Sequence, residues 1–205
     1  MQDFILGMVG SSRLEWIAAF LGLVAVILTI RRTVWTYLFG IPCVIIYAEL
    51  FYQWQLYSQA ILYVYYIVML YLGFYWWMSR RGDDGLVVIE RTPILELVAL
   101  VAITAGGVYA LGWFMATQTD ARLPWLDAST TVIAAAAQYL QSRHRVETYI
   151  VWTAVNLLSL ALFYYSGNAP TMALYAIYLV LAVIGVVAWL RAWGARRRVA
   201  RTFAA

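Results

Sequence analysis

Two stripes of polar side chains interrupt apolar stretches of the chain at the spacing of one helix face. They are Asp127, Thr130, Thr131 and Gln138 along one stretch, and Trp152, Asn156 and Ser159 along another. Residues three, four and seven positions apart lie on the same side of a helix. Polar groups inside apolar helices are costly and usually face a cavity or a partner. The stripes therefore predict one shared cavity that binds a small molecule, with Thr131, Gln138, Trp152 and Asn156 in contact with it.

Aromatic and acidic side chains in other apolar stretches are predicted to complete this cavity. Tyr63 and Tyr66 recur, at a constant offset, as Tyr175 and Tyr178, and these four rings are expected to form its walls. Glu49 is predicted to meet a positive charge on the bound molecule, because a carboxylate pairs well with a cation.

Several of these side chains also have a simpler interpretation. The hydroxyl of Thr131 can bond to its own helix or to a neighbouring one. Glu49 can reach water near an interface, and Asp127 can be a helix N-terminal charge among lipid headgroups. His144 is predicted in a loop between two arginines, which argues against metal binding or acid–base chemistry. The sequence has no phosphate-binding glycine loop and no zinc or nucleophile constellation in its apolar stretches. We therefore expect no enzyme activity, cofactor or metal site.

The elements that must position these side chains are membrane helices. Hydrophobic residues make up 65% of the 205 residues and charged residues only 12%, about half the charge of a soluble domain. A helix needs about 20 apolar residues to cross a bilayer. Pro42 lies inside the second such stretch, where it is predicted to kink the helix and act as a hinge. The seven predicted spans are Leu14–Ile30, Val34–Trp54, Tyr57–Trp77, Ile94–Ala116, Pro124–Gln141, Tyr149–Tyr165 and Pro170–Trp193.

The distribution of arginine predicts the orientation of these spans. The chain has no lysine, and alternating loops place twelve arginines on one side and only Arg13 and Arg122 on the other. Cytoplasmic loops carry the basic excess, so the N-terminus is expected outside and the C-terminus in the cytoplasm. The basic tail, residues 195–205, is expected to meet anionic lipid rather than nucleic acid. We therefore expect a multi-pass protein of the inner (plasma) membrane.

An internal repeat at an offset of 112 residues organises the spans. The offset superimposes Arg31 on Arg143, Thr36-Tyr37 on Thr148-Tyr149, Leu50-Phe51-Tyr52 on Leu162-Phe163-Tyr164, Gly73 on Gly185 and Trp77 on Trp189. Each span moves by four positions, and an even shift preserves orientation. The sequence therefore predicts two parallel three-helix repeats, residues 1–81 and 123–194, joined by a linker with span four, residues 82–122. Parallel repeats are a transporter architecture with the substrate near the midplane between the halves.

Stretches covering most of the chain resemble the Pnu-type vitamin transporters. The matching residues are Phe39-Gly40, Gln55-Leu56-Tyr57, Gly73 and Trp77 in the first half, and Val146-Glu147, Trp152 and Asn156 in the second. The resemblance implies a three-plus-one-plus-three fold related to that of the sugar-carrying SWEET proteins. It also implies facilitated diffusion without ATP, followed by trapping of the vitamin by a cytosolic kinase. Related carriers form homo-oligomers, so self-association is left open.

Departures from the family's pattern bear on the substrate. Nicotinamide riboside carriers place Gln and Asn on span three, where this chain has Tyr63 and Leu70. Gln and Asn offer the donor and acceptor that a carboxamide needs, whereas Glu49 suits the cation and aminopyrimidine edge of thiamin. We therefore expect thiamin first, nicotinamide riboside second and riboflavin third. The alternatives from other classes are a membrane receptor that binds a ligand without moving it, and a sugar carrier.

Overall fold

The structure, a computed structural model, describes residues 13–53, 57–80, 85–166 and 169–202. Within these ranges the chain forms only α-helices apart from one isolated β-bridge, which confirms the all-α prediction. Residues 203–205 of the predicted tail, and residues 54–56 around the end of predicted span two, lie outside the described residues. The seven helices are α1 Arg13–Ile30, α2 Trp35–Gln53, α3 Tyr57–Arg80, α4 Ile94–Gln118, α5 Pro124–Ser142, α6 Thr148–Ser166 and α7 Ala169–Thr202.

Six of these helices are individually long and apolar enough to cross a membrane, and α5 is the exception. Its 19 residues include Asp127, Gln138 and Gln141, which lower its apolar character. Helix α5 can carry these polar residues because it packs against α3, α4 and α6, so that much of its surface contacts protein and not lipid. Helix α7 runs beyond the predicted end of its span, into the basic tail.

Six of the described helices form a closed ring. Neighbours contact one another in the order α1, α2, α3, α5, α6, α7 and back to α1, while α4 lies outside the ring against α5. Exchanging α1 with α5, α2 with α6 and α3 with α7 returns the same set of ring contacts. This relation is the one expected of two equivalent three-helix halves, and their parallel orientation stays a prediction.

Aromatic contacts recur at matched positions in the two halves of the ring. The rings of Tyr37 and Trp77 meet edge to face with centroids 6.1 Å apart. Those of Tyr149 and Trp189 meet in the same way at 5.0 Å. Gly185 makes room for the second pair, because a Cβ there would lie 2.5 Å from the Tyr149 ring. The sequence repeat therefore corresponds to a repeated packing arrangement.

The α1–α2 and α5–α6 loops lie at the same end of the ring, which we call the arginine-rich end. Arg32 and His144 hold matched positions in these loops and have φ angles of 58° and 56°. The segment between α3 and α4 joins the loops, and we call residues 85–92 the strap. The Val87 N–H donates to the Arg32 carbonyl at 3.3 Å, and the Glu90 N–H donates to the His144 carbonyl at 3.2 Å. The strap thus binds the two halves to each other at this end.

Candidate functional site

A buried amide on α6 is the central feature of the candidate site. Asn156 is 4% exposed and forms no hydrogen bond with any residue that the structure describes. The neighbouring Val155 packs against Ala134 and Ala137 of α5, whose small side chains let the two helices approach closely. Leaving a buried amide unpaired costs about 1–3 kcal/mol. Such a group is expected where a ligand or water binds, which supports the predicted role of Asn156.

The indole of Trp152, one helical turn before Asn156, is held by a hydrogen bond. Its Nε1 donates to Oε1 of Gln141 at 2.8 Å. Gln141 lies in the last turn of α5 and is not among the predicted site residues. Its position three residues after Gln138 places it on the same helix face, and that spacing is the signal that identifies it. The bond fixes the orientation of the ring that Trp152 presents.

Aromatic side chains pack against one another within each half of the ring, and we call the two groups together the aromatic cluster. Its members are Tyr47, Phe51, Tyr63, Tyr66, Phe163, Tyr175 and Tyr178. The centroids of Tyr63 and Tyr66 are 5.2 Å apart, and those of Tyr175 and Tyr178 are 6.2 Å apart. Tyr63 and Tyr175 are close enough for their side chains to interact electrostatically. The structure therefore brings the four predicted tyrosines together.

A small cavity lies at the arginine-rich end, and we call it the strap cavity because Val87 of the strap contributes to its wall. The volume available to the centre of a water molecule is about 20 Å³, so the cavity has room for about one water. Gln138 is the one predicted site residue in its wall, and its side chain is 5% exposed. The lining residues are Thr29, Thr36, Tyr37, Met69, Leu70, Trp77, Val87, Gln138, Gln141, Ser142, His144 and Trp189.

A contact between the two halves forms part of the wall of the strap cavity. The Tyr37 hydroxyl lies 3.1 Å from Nε2 of His144, and the ring of Trp77 meets the imidazole edge to face at 5.6 Å. His144 is 4% exposed. His144 lies in the α5–α6 loop, as predicted, and the expectation that it does no metal or acid–base chemistry stays a prediction. Its positive φ turns the side chain back into the bundle, and neighbouring arginines in the sequence do not reveal this.

Buried and half-buried charges tie the strap and α4 to the second half of the ring. The guanidinium of Arg145 lies 2.7 Å from Glu96 and 3.3 Å from Glu90, and its side chain is 5% exposed. The carboxylate of Glu147 accepts a hydrogen bond from the Thr92 hydroxyl at 2.7 Å. A buried charge remains stable only when it is paired and hydrogen-bonded, so these contacts hold the α5–α6 loop in one arrangement.

Three of the predicted residues lie away from these groups. Glu49 is exposed on α2, and its carboxylate accepts a hydrogen bond from Gln53 at 2.7 Å. The structure thus does not bring Glu49 to the aromatic cluster or the strap cavity. Pro42 is exposed inside α2. Thr131 is half-buried on α5 and makes no hydrogen bond to the described residues.

Residues 12–191 match the family described as "Nicotinamide mononucleotide transporter". The chain belongs to this family. Its members are transporters, so the prediction that the protein is not an enzyme is confirmed, as is the predicted membership of the vitamin transporters. Together with its apolar helices, the family places the chain among multi-pass membrane proteins.

Relatives in this family are named for two different vitamins. The nicotinamide riboside transporter PnuC of Neisseria mucosa is 27% identical over 192 residues, which cover 87% of this chain and 72% of the relative. PnuC of Escherichia coli is 23% identical and covers 94% and 91%. The riboflavin/roseoflavin transporter RibM of Streptomyces davaonensis is 30% identical and covers 91% and 87%. These names do not support the expectation that thiamin ranks first, and they favour the two vitamins placed after it.

A solved structure shares the fold. The chain superimposes on the crystal structure of the vitamin B3 transporter PnuC with a TM-score of 0.73 and 24% identity, covering 94% of this chain and 87% of the other. At 24% identity the structural similarity shows a shared fold and nothing about the substrate. It agrees with the all-helical architecture described above.

Proposed function

We propose that this chain carries nicotinamide riboside across a membrane by facilitated diffusion. The observation that carries the proposal is the buried amide of Asn156, which has no described protein partner and lies one turn from the oriented indole of Trp152. An amide supplies the donor and the acceptor that a carboxamide requires. An indole supplies a flat surface on which a pyridine ring stacks. The names of two relatives support the same substrate.

The positive charge of the nicotinamide ring needs a different partner from the one the sequence suggested. Glu49 is exposed and hydrogen-bonded to Gln53, so a carboxylate at that position does not meet a ligand inside the ring. The faces of Tyr63, Tyr66 and Tyr175 offer an alternative. A cation over an aromatic face is stabilised by about 0.5–2 kcal/mol. We therefore assign charge recognition to the aromatic cluster.

Riboflavin is the second candidate, favoured by two observations. The relative named for riboflavin is 30% identical to this chain. Leu70 lines the strap cavity at a position where the nicotinamide riboside carriers that this chain resembles have an amide side chain. A flavin is neutral and larger, and an apolar wall suits its ring system.

We further propose that the two halves of the ring move against each other around the substrate, with Pro42 as the hinge. The ring contacts are preserved when the halves are exchanged, which supports such a movement. The arginine-rich end faces the cytoplasm in this proposal, because basic residues concentrate on that side of membranes. A cytosolic kinase then traps the vitamin, and no ATP is used by the carrier itself.

Counterflow in proteoliposomes tests this function. Vesicles loaded with unlabelled nicotinamide riboside should accumulate the labelled vitamin transiently, because a carrier exchanges one molecule for another. Counterflow is repeated with riboflavin and with thiamin, each present unlabelled inside the vesicles and labelled outside. The comparison shows which ring system the protein accepts. A receptor that binds without transport would give no exchange with any of the three, and that result would contradict the proposal.

A further inference from the structure

The amide of Gln138 is the unusual group in the wall of the strap cavity. Its side chain is 5% exposed, and it makes no hydrogen bond with the described part of the chain. It lies on α5 one turn before Ser142, and thus nearer the arginine-rich end than the middle of the helix. A buried amide that faces a cavity retains both a donor and an acceptor for something that enters the cavity.

The other polar side chains in this wall are already engaged. The hydroxyls of Thr29 and Thr36 bond to each other at 2.7 Å, and Ser142 donates to the Tyr139 carbonyl at 2.8 Å. The remaining two are Gln141, which accepts from Trp152, and His144, which bonds to Tyr37. Each of these makes at least one hydrogen bond, so Gln138 is the polar lining side chain that makes none to the described residues.

The rest of the wall defines the chemical class that this amide can bind. Tyr37, Trp77 and Trp189 supply flat aromatic surfaces, and Leu70 and Met69 supply apolar ones. No arginine, aspartate or glutamate is among the lining residues. A second amide or an imide would match the donor and acceptor of Gln138.

We propose that Gln138 forms a second binding subsite, which holds the amide or imide edge of the substrate as it leaves through the arginine-rich end. This inference rests on the proposed function and adds a recognition step to it. The carboxamide of nicotinamide riboside and the imide of a flavin both present the required edge. The cavity holds about one water in this conformation, so the substrate enters it when Tyr37 and His144 separate.

The test compares two substrates in proteoliposomes, nicotinamide riboside and its analogue with an acetyl group in place of the carboxamide. The analogue keeps the carbonyl acceptor and loses the N–H donor. The unaltered protein should prefer the carboxamide about tenfold in the ratio Vmax/KM, a loss typical of one missing hydrogen bond in a buried site. In Gln138→Leu this preference should fall severalfold, and the part that remains comes from Asn156, which also recognises the carboxamide. If riboflavin is the vitamin carried, its N3-methyl derivative replaces the analogue.

Gln118→Leu is the matched control. Gln118 is exposed at the end of α4 and donates only to the adjacent Thr117, so the preference should stay tenfold. An unchanged preference in Gln138→Leu would overturn the subsite and leave the transport function standing. No counterflow of either vitamin by the unaltered protein would overturn the function instead.

Two further measurements keep the test decisive. Gln138→Met, which preserves length and removes the amide, should behave like Gln138→Leu. If neither variant can be purified, a preference near one in the unaltered protein itself overturns the proposal.

Discussion

The Tyr37 hydroxyl lies 3.1 Å from Nε2 of His144 and joins α2, in the first half of the ring, to the α5–α6 loop in the second. The repeat partner of Tyr37 is Tyr149, which is also buried. The Tyr149 hydroxyl, however, has no hydrogen-bond partner among the described residues. One of two equivalent tyrosines thus bridges the halves at the arginine-rich end, and the other does not.

Tyr37→Phe should loosen this end of the ring. Removing a hydrogen bond worth about 1 kcal/mol shifts the closed-to-open ratio about fivefold. A thiol introduced by Ser142→Cys, in a Cys43→Ala background, reports the change through its rate of reaction with a water-soluble maleimide. We expect that rate to rise about fivefold in Tyr37→Phe.

Tyr149→Phe is the control for this prediction. It removes a hydroxyl of the same type that has no partner in the described structure, so the maleimide rate should not change. Equal acceleration in both variants would show that the Tyr37–His144 contact does not hold the cavity closed.

Gln141 should act on binding through Trp152. Gln141→Leu leaves the indole N–H without its acceptor and frees the ring to turn, so we expect KM for uptake to rise about tenfold with little change in Vmax. Gln141→Glu keeps an acceptor at the same place and should retain most of the affinity. Uptake kinetics in cells that lack their own carrier measure both, and an unchanged KM in Gln141→Leu would remove the positioning role.

How far the sequence predicts this protein depends on the kind of interaction. The lengths of the apolar stretches predict the helices. The offset of 112 residues matches the pair Tyr37–Trp77 with the pair Tyr149–Trp189, because equivalent helices pack in the same way in both copies. The role of His144 could not be predicted in this way. It depends on a positive φ and on a tertiary contact, neither of which leaves a periodic pattern in the sequence.

Arg145 should matter for stability far more than Arg91. The side chain of Arg145 is 5% exposed and lies 2.7 Å from Glu96. Arg145→Gln removes this ion pair and leaves Glu96 with the Tyr139 hydroxyl at 3.1 Å and Arg143 at 4.0 Å. Breaking such a pair costs about 3–5 kcal/mol. The side chain of Arg91 is 71% exposed and 3.8 Å from Glu147, and an exposed pair contributes at most about 1 kcal/mol.

Thermal unfolding in detergent, followed by tryptophan fluorescence, compares the two arginine variants. We expect a large drop in the unfolding midpoint for Arg145→Gln and almost none for Arg91→Gln. Equal midpoints would mean that the strap and α4 do not depend on this charge cluster.

Gly185→Ala should destabilise α7. A Cβ at this position would lie 2.5 Å from the Tyr149 ring, and that ring packs against the fully buried Trp189, so it has little room to move. Overpacking of this kind costs about 1–3 kcal/mol. Gly106→Ala is the control, since its Cβ would meet open space. The unfolding midpoint should fall only in Gly185→Ala. A fall of the same size in Gly106→Ala would show that loss of glycine from a helix, and not overpacking against Tyr149, causes the destabilisation.

The site was harder to predict than the helices, and Glu49 shows why. Seven residues after Pro42, its carboxylate could face the pathway or the outside of the bundle, and a helical repeat alone does not choose between them. The structure places it outside, bonded to Gln53. Gln138 and Asn156 differ from Glu49 because both are buried amides in closely packed helices, α5 and α6. The small alanines of α5 mark the face that turns inward.

Binding of nicotinamide riboside to the purified protein, followed by quenching of tryptophan fluorescence, tests the central claim most directly. The unaltered protein should show saturable quenching. Asn156→Leu, an apolar replacement of similar volume that leaves the fold intact, should bind about tenfold more weakly. Thr117→Val, whose exposed hydroxyl bonds only within its own helix, should bind normally. Wild-type affinity in Asn156→Leu would show that the vitamin binds elsewhere and would contradict the site described here.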